Sequence, residues 1–352
     1  MTITDIARLS GYGLGTVSRV LNNHPDVSEK AKARVLAVVE QYGFEPNANA
    51  RHLKMQAPSA IAVLVKGTQN LLFADILEQI QSLLQGSGEE VYVAYLDEDE
   101  DEVQHALRLT QLRHPKGFLF LGGDLACFAA EFSGVSVPAV LLTNGARELG
   151  FPNLSSFTTH DESAAEQAID YLYQRGHRRI HVLGGNRSST QISARRLLGV
   201  QRAMERHGLP CELERIHEPC RYSMEDGYQG ARRLLERDPG VTALFALGDV
   251  IALGAVRAVR DLGLRIPEDI SLIGYDGTAF SRYRVPRLTT IRQDAAQLAR
   301  RGVQSLLGSI QRAAPPVHDF IPHALLEQES VCPRRGSPPK RKERCLCDKP
   351  AF

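Results

Sequence analysis

MTITDIARLSGYGLGTVSRVLNN, residues 1–23, sets two short helical signals around a glycine turn. Thr2 and Asp5 form a T-x-x-D start, in which Thr2 accepts from an early backbone N–H and Asp5 favours the positive end of the helix. The first helix runs to Ser10, Gly11 ends it, and Tyr12-Gly13 turn the chain. LGTVSRVLN then places Val17, Val20 and Leu21 on one face, the spacing of a core-facing helix. The opposite face carries Leu14, Gly15, Ser18 and Arg19, a set of little use in packing and suited to lying against something outside. Ser28 caps a third helix, AKARVLAVVEQYG, whose Val35, Val38 and Val39 complete a small core and whose Gly43 closes it. Two helices on a glycine turn, buttressed by a third, make a helix-turn-helix, whose second helix enters the DNA major groove. A purely structural three-helix bundle carries the same pattern. Local charge separates the two weakly, with seven Lys/Arg against five Asp/Glu in residues 1–57.

Outward from this module, residues 1–45, comes FEPNANARHLKMQAPS (residues 44–59), where Pro46 and Pro58 flank a short polar segment. Residues 46–59 are expected to form a hinge helix and linker. From Ile61 short apolar runs alternate with amphipathic stretches: IAVLV at 61, VYVAYL at 91, GFLFL at 117, VPAVLL at 137, IHVLG at 180, ALFAL at 243 and ISLIGY at 270. Helical patterns lie between them, such as FADILEQIQSLLQ (73–85), ESAAEQAIDYLYQRG (162–176) and VIALGAVRAVRDLG (250–263). Strands joined by crossovers of that length lie parallel with helices on both faces, so residues 60–332 are an α/β core. Beyond it, residues 333–352 contain RRGSPPKRKERCLCDKPAF, with three prolines and seven basic residues, and are expected to be a disordered basic tail.

The 352 residues suffice for about two to three folded units. With 42 basic and 41 acidic side chains the net charge is +1, so any nucleic-acid or membrane partner has to be recognised by local features. Six cysteines (Cys127, Cys211, Cys220, Cys332, Cys345, Cys347) are scattered without a disulfide framework, which fits a reducing cytoplasm. Asp5 and Arg8 interrupt what a secretion signal needs as a continuous apolar run, and no later run approaches bilayer length. No catalytic signature of the G-x-S-x-G, H-E-x-x-H or G-x-x-x-x-G-K-[ST] kind occurs, and GYGLGT follows a helix where a dinucleotide fingerprint follows a strand. Cys345-x-Cys347 offers too few ligands for zinc, and the acidic run Asp97–Glu102 reads as a solvated helix start. No cofactor and no metal are expected, and the chain reads as a binder.

The runs TITDIARLSG (2–11), TVSRVLNN (16–23) and VSEKAKARVLAVVEQYGFEPNANARHL (27–53) resemble the N-terminal signature of the lactose/galactose repressor (LacI/GalR) family of bacterial transcription regulators. The following βαβ pattern is similar to that family's periplasmic-binding-protein-like core, so the resemblance covers about residues 2–332. It implies a core of two lobes with parallel sheets, divided near 60–156 with 285–315 and 157–284 with 316–332. It also implies that Leu14, Gly15 and Arg19 read bases, that Thr16 and Ser18 contact phosphates, and that Thr2 and Asn22 join them at the DNA. A guanidinium at Arg19 suits guanine O6 and N7, whereas Leu14 offers apolar contact to a thymine methyl; a surface charge paired to the third helix is the other reading of Arg19. Asn47, Ala50, Arg51 and Leu53 belong to a hinge that, in the family, folds when two protomers meet on DNA and wedges a leucine into the minor groove. Leu53 packing on the core is the alternative. Gly13 stands where the family usually has a serine cap, and Gly15 supplies no side chain at a reading position.

A two-lobed core leaves a cleft at the strand ends, the usual place for a small ligand. Asp276 follows ISLIGY, Asp249 follows ALFALG, Asn144 follows AVLLT, and Phe73 opens the helix after the first strand. An aromatic ring with carboxylates and an arginine suits a sugar, whose apolar face stacks and whose hydroxyls hydrogen-bond. By the resemblance, Arg195 and Arg196 enter with an R-x-x-G motif, Asp276 with G-[YF]-D and Phe73 as the stacking ring. Asp249 serves equally as a helix cap, Arg195 and Arg196 as exposed helical charges, and His160 stands where an aspartate is common. The expected protein is a cytoplasmic homodimeric repressor on palindromic double-stranded operator DNA, controlled by a small carbohydrate or sugar-phosphate effector, with no membrane partner. Without a C-terminal leucine heptad it is expected to stop at dimers. An exported solute-binding protein and a sugar-acting α/β enzyme are the rival readings.

Overall fold

The computed structural model describes residues 3–21, 27–42, 60–188 and 190–334. The chain divides into a unit spanning Met1–Pro58 and a unit spanning Ser59–Phe352. Thr2, Asn22, Gly43, the hinge at 46–59 and the tail beyond 334 lie outside the described residues, as do the side chains of Leu14 and Ser18.

In the first unit, α1 (Ile3–Ser10), α2 (Leu14–Leu21) and α3 (Glu29–Gln41) enclose Ile6, Val17, Val20, Val35 and Val38, all buried. Gly11 leaves α1 at φ +77°, a conformation that side chains resist. The Gly13 carbonyl starts α2 by accepting from Thr16 N and Val17 N, and the Ser28 hydroxyl caps α3 by accepting from Ala31 N.

The second unit holds two six-stranded sheets. Its elements in chain order are β1 (Ala60–Lys66), α4 (Leu71–Gly86), β2 (Glu90–Leu96), α5 (Glu102–Arg113), β3 (Gly117–Leu121), α6 (Leu125–Glu131), β4 (Ala139–Leu142), β5 (Leu154–Thr159), α7 (Asp161–Gln174) and β6 (Ile180–Leu183). Then follow α8 (Ile192–Arg206), α9 (Leu213–Ile216), β7 (His217–Glu218), α10 (Met224–Arg237), β8 (Ala243–Ala246), α11 (Asp249–Asp261), β9 (Ser271–Asp276), α12 (Ala279–Tyr283), β10 (Thr289–Gln293), α13 (Ala295–Arg312), β11 (His318–Ile321) and β12 (His323–Leu326). The first sheet runs β11-β5-β4-β3-β1-β2 and the second β12-β10-β9-β8-β6-β7. Every residue of β3, β4, β6, β8 and β9 is buried, as parallel strands covered on both faces require. Among the described residues, no helix is long and apolar enough to cross a membrane.

Three corrections to the sequence-based expectation concern connectivity. β10 pairs with β9 (Thr289 beside Ile273) and so belongs with the second lobe, although residues 285–315 were assigned to the first. Conversely, β11 pairs with β5 (His318 beside Ser156), which returns residues 318–321 to the first lobe and carries 157–159 with them. The sheets are also not wholly parallel, because β12 lies antiparallel to β10 at an edge. These strands, LSSFTT, TTIRQ, HDFI and HALL, are short and largely polar or mixed, so no apolar run announces them or the sheet they join. α13 does stay with the first lobe, where Leu298, Val303 and Leu306 pack against Ile61, Val63 and Leu142.

Candidate functional site

The strand order changes direction between β1 and β3 in the first lobe, and between β6 and β8 in the second, so the chain leaves those neighbouring strands towards opposite sides. A crevice opens at the carboxyl ends there. The lobes bring those ends together around a cavity of about 70 Å³, lined by Lys66, Asn70, Phe73, Glu98, Gly122, Thr143, Asn144, Gln191, Arg196, Tyr222, Asp276 and Gln293, among others. That is under the roughly 300–1,000 Å³ of ordinary ligand pockets.

Phe73 comes from the first turn of α4, which Asn70 caps by accepting from Leu72 N at 3.1 Å. Gly122, at φ +77°, lies under the ring; a Cβ there would stand 3.0 Å from Phe73 Cζ. Gly248 seats a second ring in the same manner, since its Cβ would meet Tyr222 Cδ1 at 3.0 Å. Among the described residues the Tyr222 hydroxyl is buried without a hydrogen-bond partner, and burial raises its pKa well above the usual phenol range.

Arg196 donates from Nε to Asp161 Oδ1 (2.7 Å) and from Nη1 to the Leu247 carbonyl (2.6 Å), and its guanidinium lies 3.7 Å from the centre of the Tyr275 ring. Burial opposes its charge, but the Asp161 carboxylate, together with Tyr275, Tyr222 and Asp276 beside it, outweighs that and raises its pKa. Nη2 makes no hydrogen bond among the described residues. Asp276 accepts from Gln293 Nε2 at 2.9 Å; burial first, and the Asp249 charge next, push its carboxyl up to about 7 against the pull of Arg196. Two of the four non-glycine residues with positive φ among the described residues, Thr143 (72°) and Asp276 (119°), sit on this wall. Backbone strain of that kind persists where surroundings hold it, and functional sites are where it collects.

Of the residues expected here, the structure brings together Phe73, Asn144, Arg196 and Asp276. Asn144 also ties the lobes, donating from Nδ2 to the Gly123 carbonyl (3.1 Å) and the Thr190 carbonyl (3.5 Å). Arg195 does not join them: adjacent helix positions differ by about 100°, and it points outward to Glu162 at 3.5 Å. Asp249 does not line the cavity either. It is fully buried behind Asp276, accepting from Thr278 N (2.8 Å), Thr278 Oγ1 (2.9 Å) and Thr290 Oγ1 (2.7 Å), and burial raises its carboxyl to about 6. His160 caps α7 through Nδ1, away from the cavity.

Lys66, Glu98, Gln191 and Tyr222 were missed. Lys66 had a signal, a lone charge ending an apolar strand. Tyr222 and Glu98 had none, since they meet across 124 residues, where Tyr222 N donates to Glu98 Oε2 at 3.1 Å. The acidic run is only partly the solvated helix start it resembled. Asp101 does cap α5, accepting from Val103 N and Gln104 N, but Asp97, Glu98 and Asp99 all engage Arg221 of the other lobe. Asp101, Glu102 and Cys127 also cluster closely, and burial pushes the Cys127 thiol up to about 12.

In the N-terminal unit, α2 turns Val17 and Val20 inward and leaves Gly15 and Arg19 exposed, with Thr16 half-buried between. Arg19 forms no ion pair among the described residues. Thr2, Asn22, Asn47, Ala50, Arg51 and Leu53, and the side chains of Leu14 and Ser18, lie outside the described residues.

Residues 2–47 match the model of bacterial regulatory proteins, lacI family, and residues 169–331 that of a periplasmic binding protein-like domain. The HTH-type transcriptional regulator MalR of Clostridium butyricum is 32% identical over 336 residues, 94% of this chain and 99% of that one. Catabolite control protein A of Priestia megaterium is 30% identical over 294 residues, 83% of this chain and 87% of that one. Among solved structures, a lac repressor dimer bound to operator and the anti-inducer ONPF has a TM-score of 0.67 at 26% identity, covering 94% of this chain and 99% of that one. A complex of the transcriptional regulator CelR with cellobiose matches with the same TM-score, identity and coverage.

Proposed function

The chain belongs to the lacI family of bacterial regulatory proteins, and from that premise we propose that it is a dimeric, sequence-specific DNA-binding repressor whose hold on a palindromic operator is set by a small carbohydrate or sugar phosphate between its lobes. The observation that carries this reading is the cavity: a seated aromatic ring, a buried guanidinium, a buried carboxyl and an unpartnered hydroxyl converge at the strand ends of both lobes. One neighbour is bound to operator as a dimer, another holds cellobiose and a third ribose, which supports the same partners here. The site contains no nucleophile with an adjacent base, so we read it as a binding site in a cytoplasmic regulator and not as an enzyme. Two copies supply the paired recognition helices that a symmetric site needs, with Asn47, Ala50, Arg51 and Leu53 in the hinge between each helix set and its core. A ligand that prefers one lobe arrangement shifts operator affinity by linkage, with a coupling of about 1–3 kcal/mol giving about 5- to 150-fold.

The test is a gel shift of the full-length protein on the region upstream of its own gene and neighbouring genes, with and without a panel of sugars. A retarded band that one sugar releases or strengthens supports the proposal. A protein that is monomeric at the concentrations retarding DNA, or that turns over a sugar, overturns it.

A further inference from the structure

Two cations reach the cavity, Lys66 at the end of β1 and Arg196 on α8, and each already has a carboxylate of its own. Lys66 Nζ lies 2.5 Å from Glu102 Oε2, with side chains 9% and 1% exposed. The second Glu102 oxygen accepts from Asp124 N at 2.6 Å, so that carboxylate is held from both sides. Asp161, opposite Arg196, is held likewise by Tyr275 Oη at 2.8 Å and Thr158 Oγ1 at 3.3 Å. Neither Glu102 nor Asp161 lines the cavity. The remaining charged groups on its wall are the carboxyls of Glu98 and Asp276, with Asp249 behind the latter. The adjoining pocket past Asp276 sets Arg282 and Arg292 beside Asp75 and Asp294, so it holds no surplus of positive charge either.

We propose that this cavity selects an uncharged polyhydroxylated ligand over its phosphorylated or carboxylated counterparts, and that Glu102 and Asp161 set this preference from behind the wall by holding Lys66 and Arg196 in buried ion pairs. The inference rests on the effector-binding reading of the same cavity and narrows it. A phosphate or carboxylate entering here would be buried beside Glu98 and Asp276, and would meet two cations whose charge Glu102 and Asp161 already offset, so a full ion pair with it would come at the expense of a buried pair. Hydroxyl groups meet no such penalty. They accept from the Tyr222 hydroxyl and Arg196 Nη2 and donate to the Asp276 and Glu98 carboxyls, while the Phe73 ring takes an apolar sugar face.

The experiment is a thermal-shift and calorimetric comparison of the full-length protein with matched pairs: glucose with glucose 6-phosphate and glucuronate, galactose with galacturonate, ribose with ribose 5-phosphate, and maltose and cellobiose as neutral disaccharides. The expected result is that a neutral sugar raises the melting temperature and that its charged partners bind at least about tenfold more weakly, a difference of about 1.4 kcal/mol. A charged sugar that binds as tightly as or more tightly than its neutral partner overturns the inference while leaving a ligand-controlled regulator intact. Silence from every compound counts against both the inference and the carbohydrate reading. Glu102→Gln supplies the second arm, because it frees Lys66: affinity for glucose 6-phosphate or glucuronate should rise about tenfold relative to the neutral sugar. An unchanged ratio in a variant that still melts cooperatively removes Glu102 from the role. The wild-type comparison stands by itself if that variant does not fold.

Discussion

Asp276 and His177 load the core with opposite pH sensitivities. The Asp276 carboxyl, pushed up to about 7 from its ordinary 3.8, binds more protons folded than unfolded across that interval. Its contribution to stability is therefore complete below the unfolded value and is lost as pH rises through about 7; buried Asp249, raised to about 6, adds in the same direction. Asp276→Asn removes that loss. Its thermal midpoint should exceed that of the wild type at about pH 8, the gap should shrink towards about pH 5, and calorimetry should show the ligand response gone. A lower midpoint at the alkaline end would mean that the carboxylate is worth more to folding than its burial costs. His177 is hydrogen-bonded to Thr242 Oγ1 (3.0 Å) and the Cys332 carbonyl (3.1 Å), and burial drops its imidazole to about 4. The unfolded chain takes up a proton below 6.5 that the folded core refuses until about 4, so stability falls on acidification through that window. His177→Gln should flatten the acid limb of a plot of melting temperature against pH, and an unaltered slope assigns the acid sensitivity to other groups.

At the scale of an element, α2 separates folding from recognition by face. Val17 and Val20 hold it to the three-helix core, so replacing exposed Arg19 leaves that core in place. Arg19→Ala should weaken operator binding by about 1–3 kcal/mol and relax the preference at one base pair, measured by fluorescence anisotropy on singly substituted operators. Equal losses on every sequence would make Arg19 a phosphate contact. Gly15 tests the same face differently: a Cβ there meets nothing within 4 Å, and alanine in a helix is favoured over glycine by about 0.5–1 kcal/mol. Gly15→Ala should raise the melting temperature and lower operator affinity, the pattern of a residue kept small so that helix and duplex can approach. Stability without a binding cost would mean the position is merely unoccupied. The element's existence and its buried face follow from apolar spacing over eight residues.

For the molecule as a whole, closure of the two lobes is written in bonds between them. Arg221 reaches Asp97, Glu98 and Asp99, Gln191 Nε2 donates to Asp124 Oδ2 at 2.6 Å, and Leu125 N donates to the Thr190 carbonyl at 3.3 Å. Exposed ion pairs are individually worth about 0–1 kcal/mol, so Arg221→Ala should weaken ligand binding by no more than about fivefold, in calorimetry, while operator binding without ligand holds. A larger loss would show that the three carboxylates act on Arg221 as one network. Little of this was legible beforehand. The acidic run was read as a solvated helix start because its partner lies 124 residues away.

Residue spacing alone settled the α/β class and the three-helix module, and set Asn144 and Asp276 at strand ends and Phe73 at the start of the following helix, because helix and strand periods repeat within a few residues; Arg196 came in with the family's R-x-x-G motif. Folding in three dimensions sorted β10 and β11 between the lobes, turned Arg195 outward, sank Asp249 behind the wall and paired Lys66 with Glu102 and Arg196 with Asp161. Those outcomes depend on which distant segments share a sheet or a cavity. Hydrogen bonding and burial across long separations choose among them, and no local period records that choice.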